Sequence, residues 1–72
     1  MVKIFKIEDL DCAHCAAKIE EGIRNLEGVH SATVSFLAQK ITVDMEDEKS
    51  EEIQASIVAI AKKIEPDCSV LL

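Results

Sequence analysis

The sequence predicts an α+β sandwich in which one four-stranded antiparallel sheet carries two helices on one face. Three observations lead there. Segments 2–8, 29–36 and 40–45 mix apolar and polar residues with the period of two expected of strands buried on one side. Two further segments repeat apolar residues every three to four positions, as amphipathic helices do. With an apolar stretch at 68–72, the order becomes strand, helix, strand, strand, helix, strand.

In the first strand, Val2, Ile4, Phe5 and Ile7 are interleaved with Lys3, Lys6 and Glu8, and Asp9-Leu10-Asp11 bounds them as an acidic turn. From Cys12 onward, Cys15, Ile19, Gly22 and Leu26 form one stripe with Ala16 and Ile23 beside it. Lys18, Glu20, Glu21, Arg24 and Asn25 fall on the other side, and Gly28 is expected to end the helix as a left-handed cap. Gly22 in the helix interior costs about 1 kcal/mol relative to Ala. Its presence predicts close backbone approach to a neighbouring element.

Ala32, Val34 and Phe36 alternate with Ser31, Thr33 and Ser35, and Ile41, Val43 and Met45 alternate with Lys40, Thr42 and Asp44. Leu37-Ala38-Gln39 is the short loop between them. Asp47 to Ser50 opens the second helix, whose Ile53, Ile57, Ile60 and Ile64 are spaced four, three and four apart. Glu51 and Glu52 in its first turn and Lys62 and Lys63 in its last complement the helix dipole, and Pro66 terminates it. This is the order of the ferredoxin-like βαββαβ sandwich. There the first and last strands are antiparallel neighbours, so the Cys12 loop and Cys68 belong at the same end of the molecule.

The 72 residues form a single domain, 1–72. A chain of this size buries only about 60% of the surface its unfolded form exposes, which argues against a deep catalytic cleft. Apolar residues make up 49% and charged residues 31%, the balance of a folded globular protein. Phe5 and Phe36 are the only aromatics, too few for a base-stacking platform. The net charge of −6, with eight scattered Lys and Arg residues, excludes nucleic acid as a natural partner and favours one with a basic docking face. No apolar run approaches the roughly 20 residues that span a bilayer, and Met1 leads into alternating residues rather than a signal-peptide core. A soluble, cytoplasmic, monomeric domain is therefore expected.

Three cysteines suit a disulfide framework poorly, and the close pair Cys12 and Cys15 in such a setting reads as metal-binding or redox-active. The pair spans a loop-to-helix junction, where two thiols can converge on one ion and the helix N-terminus favours thiolate. A cysteine there can have its pKa lowered from about 8.5 toward 7.

Leu10-Asp11-Cys12-Ala13-His14-Cys15-Ala16, then Lys18-Ile19-Glu20, Leu26-Glu27-Gly28-Val29 and Val34-Ser35-Phe36, resemble the heavy-metal-associated domain family along essentially the whole chain. The resemblance implies a small βαββαβ domain that binds a heavy-metal ion through its CxxC cysteines and is not itself an enzyme. Members occur as free metallochaperones, as periplasmic mercury-binding proteins and as N-terminal domains of P-type ATPases. Copper members usually carry Gly-Met-Thr or Gly-Met-Ser before the first cysteine, where this chain has Asp9, Leu10 and Asp11. Leu10 replaces the Met as a loop anchor. Asp11 produces the DCxxC form of zinc, cadmium and lead ATPase domains, in which that carboxylate joins the thiolates as a ligand.

Coordination chemistry agrees, because Zn(II) prefers four ligands and accepts carboxylate oxygen at about 2.0–2.2 Å, whereas two thiolates satisfy Cu(I). Zn(II), Cd(II) or Pb(II) are thus favoured, with Cu(I) as the alternative. For Asp11 the competing role is N-cap of the first helix. Cys68, Glu65 and Asp67 are placed near the site by topology. Cys68 is a further candidate ligand, set against the commoner fate of a lone cysteine as a small buried apolar residue. Glu65 and Asp67 rank lower, as solvated loop acids. His14 is expected to point outward, His30 to lie at the far end of the sheet, and Met45 to belong to the core edge.

The expected activity is delivery of the ion to the membrane domain of a metal-transporting ATPase, in cis or in trans. The end at Leu72 within an apolar strand, and Glu65-Pro66-Asp67 after the second helix, point to a domain of such a transporter. The rival from another class is a small dithiol redox protein, since CxxC at a helix start is also the thioredoxin arrangement. Against it stand the shortness of the chain, the lack of Pro within or just after the motif, and Asp11 opposing thiolate activation.

Overall fold

A computed structural model of the chain describes residues 1–71. The elements are β1 (Val2–Glu8), α1 (Ala13–Arg24), β2 (Val29–Ser35), β3 (Lys40–Met45), a 3-10 turn (Asp47–Lys49), α2 (Ser50–Ile64) and β4 (Ser69–Leu71). The strands form one antiparallel sheet in the order β2-β3-β1-β4, which is the ferredoxin-like arrangement. Leu72, expected in the last strand, lies outside the described residues.

Adjacent apolar residues in β1 cannot share a face, so the strand must choose. Phe5 and Ile7 take the inner side, opposite Ile41 and Val70, whereas Val2 and Ile4 remain 62% and 65% exposed on the open face. Ile41, Val43 and Met45 of β3 and Ala32 and Val34 of β2 complete the sheet side of the core. A register shift between Val29 and Ser31 leaves His30 as the extra residue in β2. Phe36 falls past the end of β2, in the turn, where it packs partly buried against the core.

Both helices bury a row rotated from the one the periodicity suggested. Ala16, Ile19 and Ile23 are the buried residues of α1, with Cys15 and Leu26 at the border of the core. In α2 the buried row is Ile53, Ile57 and Ala61, with Ile60 and Ile64 partly buried beside it. The reason is contact between helices: Ile60 is turned toward Gly22, where an added Cβ would lie 3.0 Å from its Cγ2. The close approach expected at Gly22 is therefore made by Ile60.

Gly28 does not cap α1, which ends at Arg24 with Asn25 in right-handed conformation. It lies beyond the helix end with φ +92° in the turn into β2, packed under Lys49 and Ile53. The left-handed geometry is present, but it serves strand entry. The consequence for function lies at the opposite end, where Glu8 pairs with Ser69 and brings the β1–α1 loop beside the α2–β4 connection.

Candidate metal centre

The loop from Asp9 to Cys12 turns the chain out of β1 and into α1. Asp9 makes the turn with φ 62°, and Leu10 drops into the core at 2% exposure. This is the anchoring expected of Leu10. Ala13 is the first helical residue, so the capping position falls on Cys12, in extended conformation, and not on Asp11. The Cys12 Sγ accepts the Cys15 backbone N–H at 3.3 Å, and the Cys12 carbonyl accepts the Ala16 N–H at 3.0 Å. Cys12 thus caps its own helix, and the capping role considered for Asp11 is corrected accordingly.

Cys12 and Cys15 are both free and half-buried, open enough for an ion or an exchanging ligand to reach sulfur. Their acidities diverge. The Cys15 thiol and then the Cys15 backbone N–H stabilise the Cys12 thiolate and lower its pKa from 9.0. Donation to Cys12, followed by partial desolvation and the negative charges of Cys12 and then Glu65, pushes Cys15 up to about 11. The two thiols are thus inequivalent, Cys12 being the more readily ionised of the pair.

Glu65 follows the last residue of α2, and its carboxylate Oε2 stands 3.8 Å from the Cys15 Sγ, an alternative acceptor to Cys12 for the single Cys15 proton. The other oxygen accepts the Asp67 backbone N–H at 3.4 Å, and the Glu65 carbonyl accepts the Cys68 N–H at 3.1 Å. These bonds tie the α2–β4 connection into a tight turn that faces the thiols. Of the two loop acids ranked lower from sequence, Glu65 is the one set against a cysteine. Pro66 signalled only where the helix stops, and no local pattern distinguished Glu65 from Asp67.

Cys68 is fully buried, its thiol donating to the Ala61 carbonyl at 3.6 Å. Burial pushes its pKa up, with Lys62 opposing. The Asp11 side chain is exposed beside the pair. Among the described residues, no three His, Cys, Asp or Glu side chains are already gathered to hold an ion. The centre is thus a dithiol with one carboxylate in contact, into which the structure brings neither Asp11 nor Cys68. His14 is exposed, and His30 lies at the far end, 3.5 Å from Glu46. Met45 is buried in the core.

One residue at this end carried no sequence signal. Gln39, at the close of the β2–β3 turn, hydrogen-bonds both backbone polar groups of Leu10 through its carboxamide.

Comparison with known proteins gives the chain's family and its fold neighbours. The family described as "Heavy-metal-associated domain" matches residues 4–66. A "Cadmium, zinc and cobalt-transporting ATPase" of Bacillus subtilis (strain 168) is 29% identical over 66 residues, covering 92% of this chain and 9% of the ATPase. A "Zinc/cadmium/lead-transporting P-type ATPase" of Escherichia coli (strain K12) is 32% identical over 53 residues, covering 74% of this chain and 7% of the ATPase. The chain thus spans less than a tenth of the length of these two relatives. Among solved structures, the N-terminal domain of a potential copper-translocating P-type ATPase from Bacillus subtilis, in the Cu(I)-loaded state, superposes with a TM-score of 0.79. It is 27% identical, covering 99% of this chain and 84% of that one. A structure described as "CopZ metallochaperone" has the same fold, with a TM-score of 0.78 at 22% identity over 99% of this chain and 100% of that one.

Proposed function

The chain belongs to the heavy-metal-associated domain family, and from that premise we propose that it captures a divalent soft or borderline ion for a transporter. Cys12 and Cys15 supply the thiolates. The favoured cargo is Zn(II), Cd(II) or Pb(II). The observation that carries this preference is the oxygen chemistry around the pair: Asp11 precedes Cys12, and the Glu65 carboxylate stands 3.8 Å from the Cys15 Sγ. Hard anionic donors beside two thiolates suit an ion that wants more than two ligands, which Cu(I) does not.

In this reading the exposed Asp11 side chain closes onto the ion as it binds, while Cys68 stays in the core bonded to Ala61. Half-exposed sulfurs also permit release, because an incoming thiolate or carboxylate can replace Cys12 and Cys15 one at a time without freeing the ion. Delivery is to the membrane part of a metal-transporting ATPase at the cytosolic face of the membrane. No helix among the described residues is long and apolar enough to cross a membrane, and this reading assigns the translocation path to the ATPase's membrane part, in cis or in trans. The domain itself catalyses nothing, acts as a monomer, and leaves ATP hydrolysis to the transporter.

A second reading, Cu(I) capture, is favoured by the bare two-thiol geometry and by likeness to a Cu(I)-loaded domain at 27% identity. The test is a titration of the reduced apo protein with Zn(II), Cd(II) and Cu(I) against a competing chelator, for wild type and Asp11→Ala. Loss of Asp11 is expected to weaken the divalent ions by about tenfold or more, at least the loss typical of an outer-shell partner, and to leave Cu(I) nearly unchanged. Equal weakening of Cu(I), or no change for any ion, refutes the divalent preference.

A further inference from the structure

The turn between β2 and β3 closes at Gln39, whose backbone adopts φ 54°. That left-handed region is disfavoured for a residue with a β-carbon, so its occupation calls for compensating bonds. Gln39 makes four of them. Its Oε1 accepts the Leu10 N–H at 3.1 Å, and its Nε2 donates to the Leu10 carbonyl at 2.6 Å and to the Phe36 carbonyl at 2.7 Å. Its own main-chain carbonyl accepts the Ile7 N–H at 3.0 Å.

The carboxamide therefore treats Leu10 as a neighbouring strand would, satisfying its donor and its acceptor together. Backbone pairing of β1 with β3 has its last partners at Lys6 and Lys40, so the side chain of Gln39 extends the hold on the chain to Leu10. Below the backbone, the Leu10 side chain is sunk in the core at 2% exposure. The residue is thus fixed from two directions at once, and it stands next to Asp11 and two positions before Cys12.

We propose that Gln39 is a positioning residue of the metal centre: its carboxamide clamps the Leu10 backbone and so sets where the β1–α1 loop holds Asp11 and Cys12 before the ion arrives. It touches no ion. The proposal rests on the reading of Cys12 and Cys15 as the capture pair, and its physical basis is preorganisation. A loop position already fixed spares the ion the ordering of a mobile loop. Partners that orient ligands from outside the coordination shell are worth about 10- to 100-fold in affinity.

The test compares wild type, Gln39→Ala and Gln39→Gly as reduced apo proteins. Thermal unfolding is measured for each, along with Cd(II) affinity against a chelator and the ultraviolet thiolate-to-Cd(II) band. Gly accepts φ 54° freely, so Gln39→Gly removes the clamp while relieving the backbone and unfolds at a higher temperature than Gln39→Ala. Both variants are expected to weaken Cd(II) by about tenfold and to the same extent, whatever their difference in stability. A Gly variant that recovers wild-type affinity along with its stability, or either variant binding Cd(II) as wild type does, overturns the assignment. Failure of the wild type to bind Cd(II) would instead refute the capture reading on which the assignment rests.

Discussion

Gly22 is the point at which helix spacing is set, and a double-mutant cycle with Ile60 measures it. In a helix interior Gly→Ala alone is worth about 1 kcal/mol of stabilisation. Here the new Cβ would lie 3.0 Å from Ile60 Cγ2 and 3.7 Å from Cδ1, whereas carbon atoms settle at roughly 3.5–4.0 Å. The Cγ2 is carried directly on the branched Cβ of Ile60 and cannot swing away as the end of a long chain would. Relief needs parted helices or an off-rotamer Ile60, an overpacking cost of about 1–3 kcal/mol.

Gly22→Ala in the wild-type background is therefore expected to be neutral, or destabilising by up to about 2 kcal/mol. With Ile60→Ala already present, the same substitution should stabilise by about 1 kcal/mol. The coupling is thus about 1–3 kcal/mol, and each kcal/mol corresponds to a midpoint shift of about 4–8 °C in a domain of this size. Thermal unfolding of the four reduced apo proteins reads it directly. Should Gly22→Ala stabilise equally in both backgrounds, close approach is not the reason for the glycine. The matter bears on function because α1 carries Cys15 in its first turn and Glu65 follows the end of α2.

Two further outcomes follow from the thiols. Metal binding requires thiolate, so below the lowered Cys12 pKa the logarithm of Cd(II) affinity should rise by about two per pH unit. Between that pKa and about 11, where Cys15 loses its proton, the slope should be about one; a single slope across the range, or alkylation of Cys15 before Cys12 at pH 8, contradicts the ordering. Cys68→Ala removes a buried thiol bonded to Ala61 and should cost about 1–2 kcal/mol in urea unfolding, with Cd(II) affinity unchanged. A tenfold loss of Cd(II) affinity would make Cys68 a ligand.

What the chain settled by itself are the features carried by neighbours in sequence. Periods of two and of three to four marked the strands and helices, Cys12 and Cys15 stood at a loop-to-helix junction, Leu10 served as the loop anchor, and Gly22 signalled close approach. Tertiary structure alone decided the rest. Val2 and Ile4 match an inward pattern as well as Phe5 and Ile7 do, and only pairing against β3 and β4 selected which side of β1 faces the helices. The exact buried row of each helix depended on where α1 meets α2, and the choice of Glu65 over Asp67 on the turn that follows α2. Gln39 reaches Leu10 across 29 residues of sequence. Local periodicity reports how a segment would lie on an average surface, whereas a bond across that distance exists only once strand register has brought its two ends together.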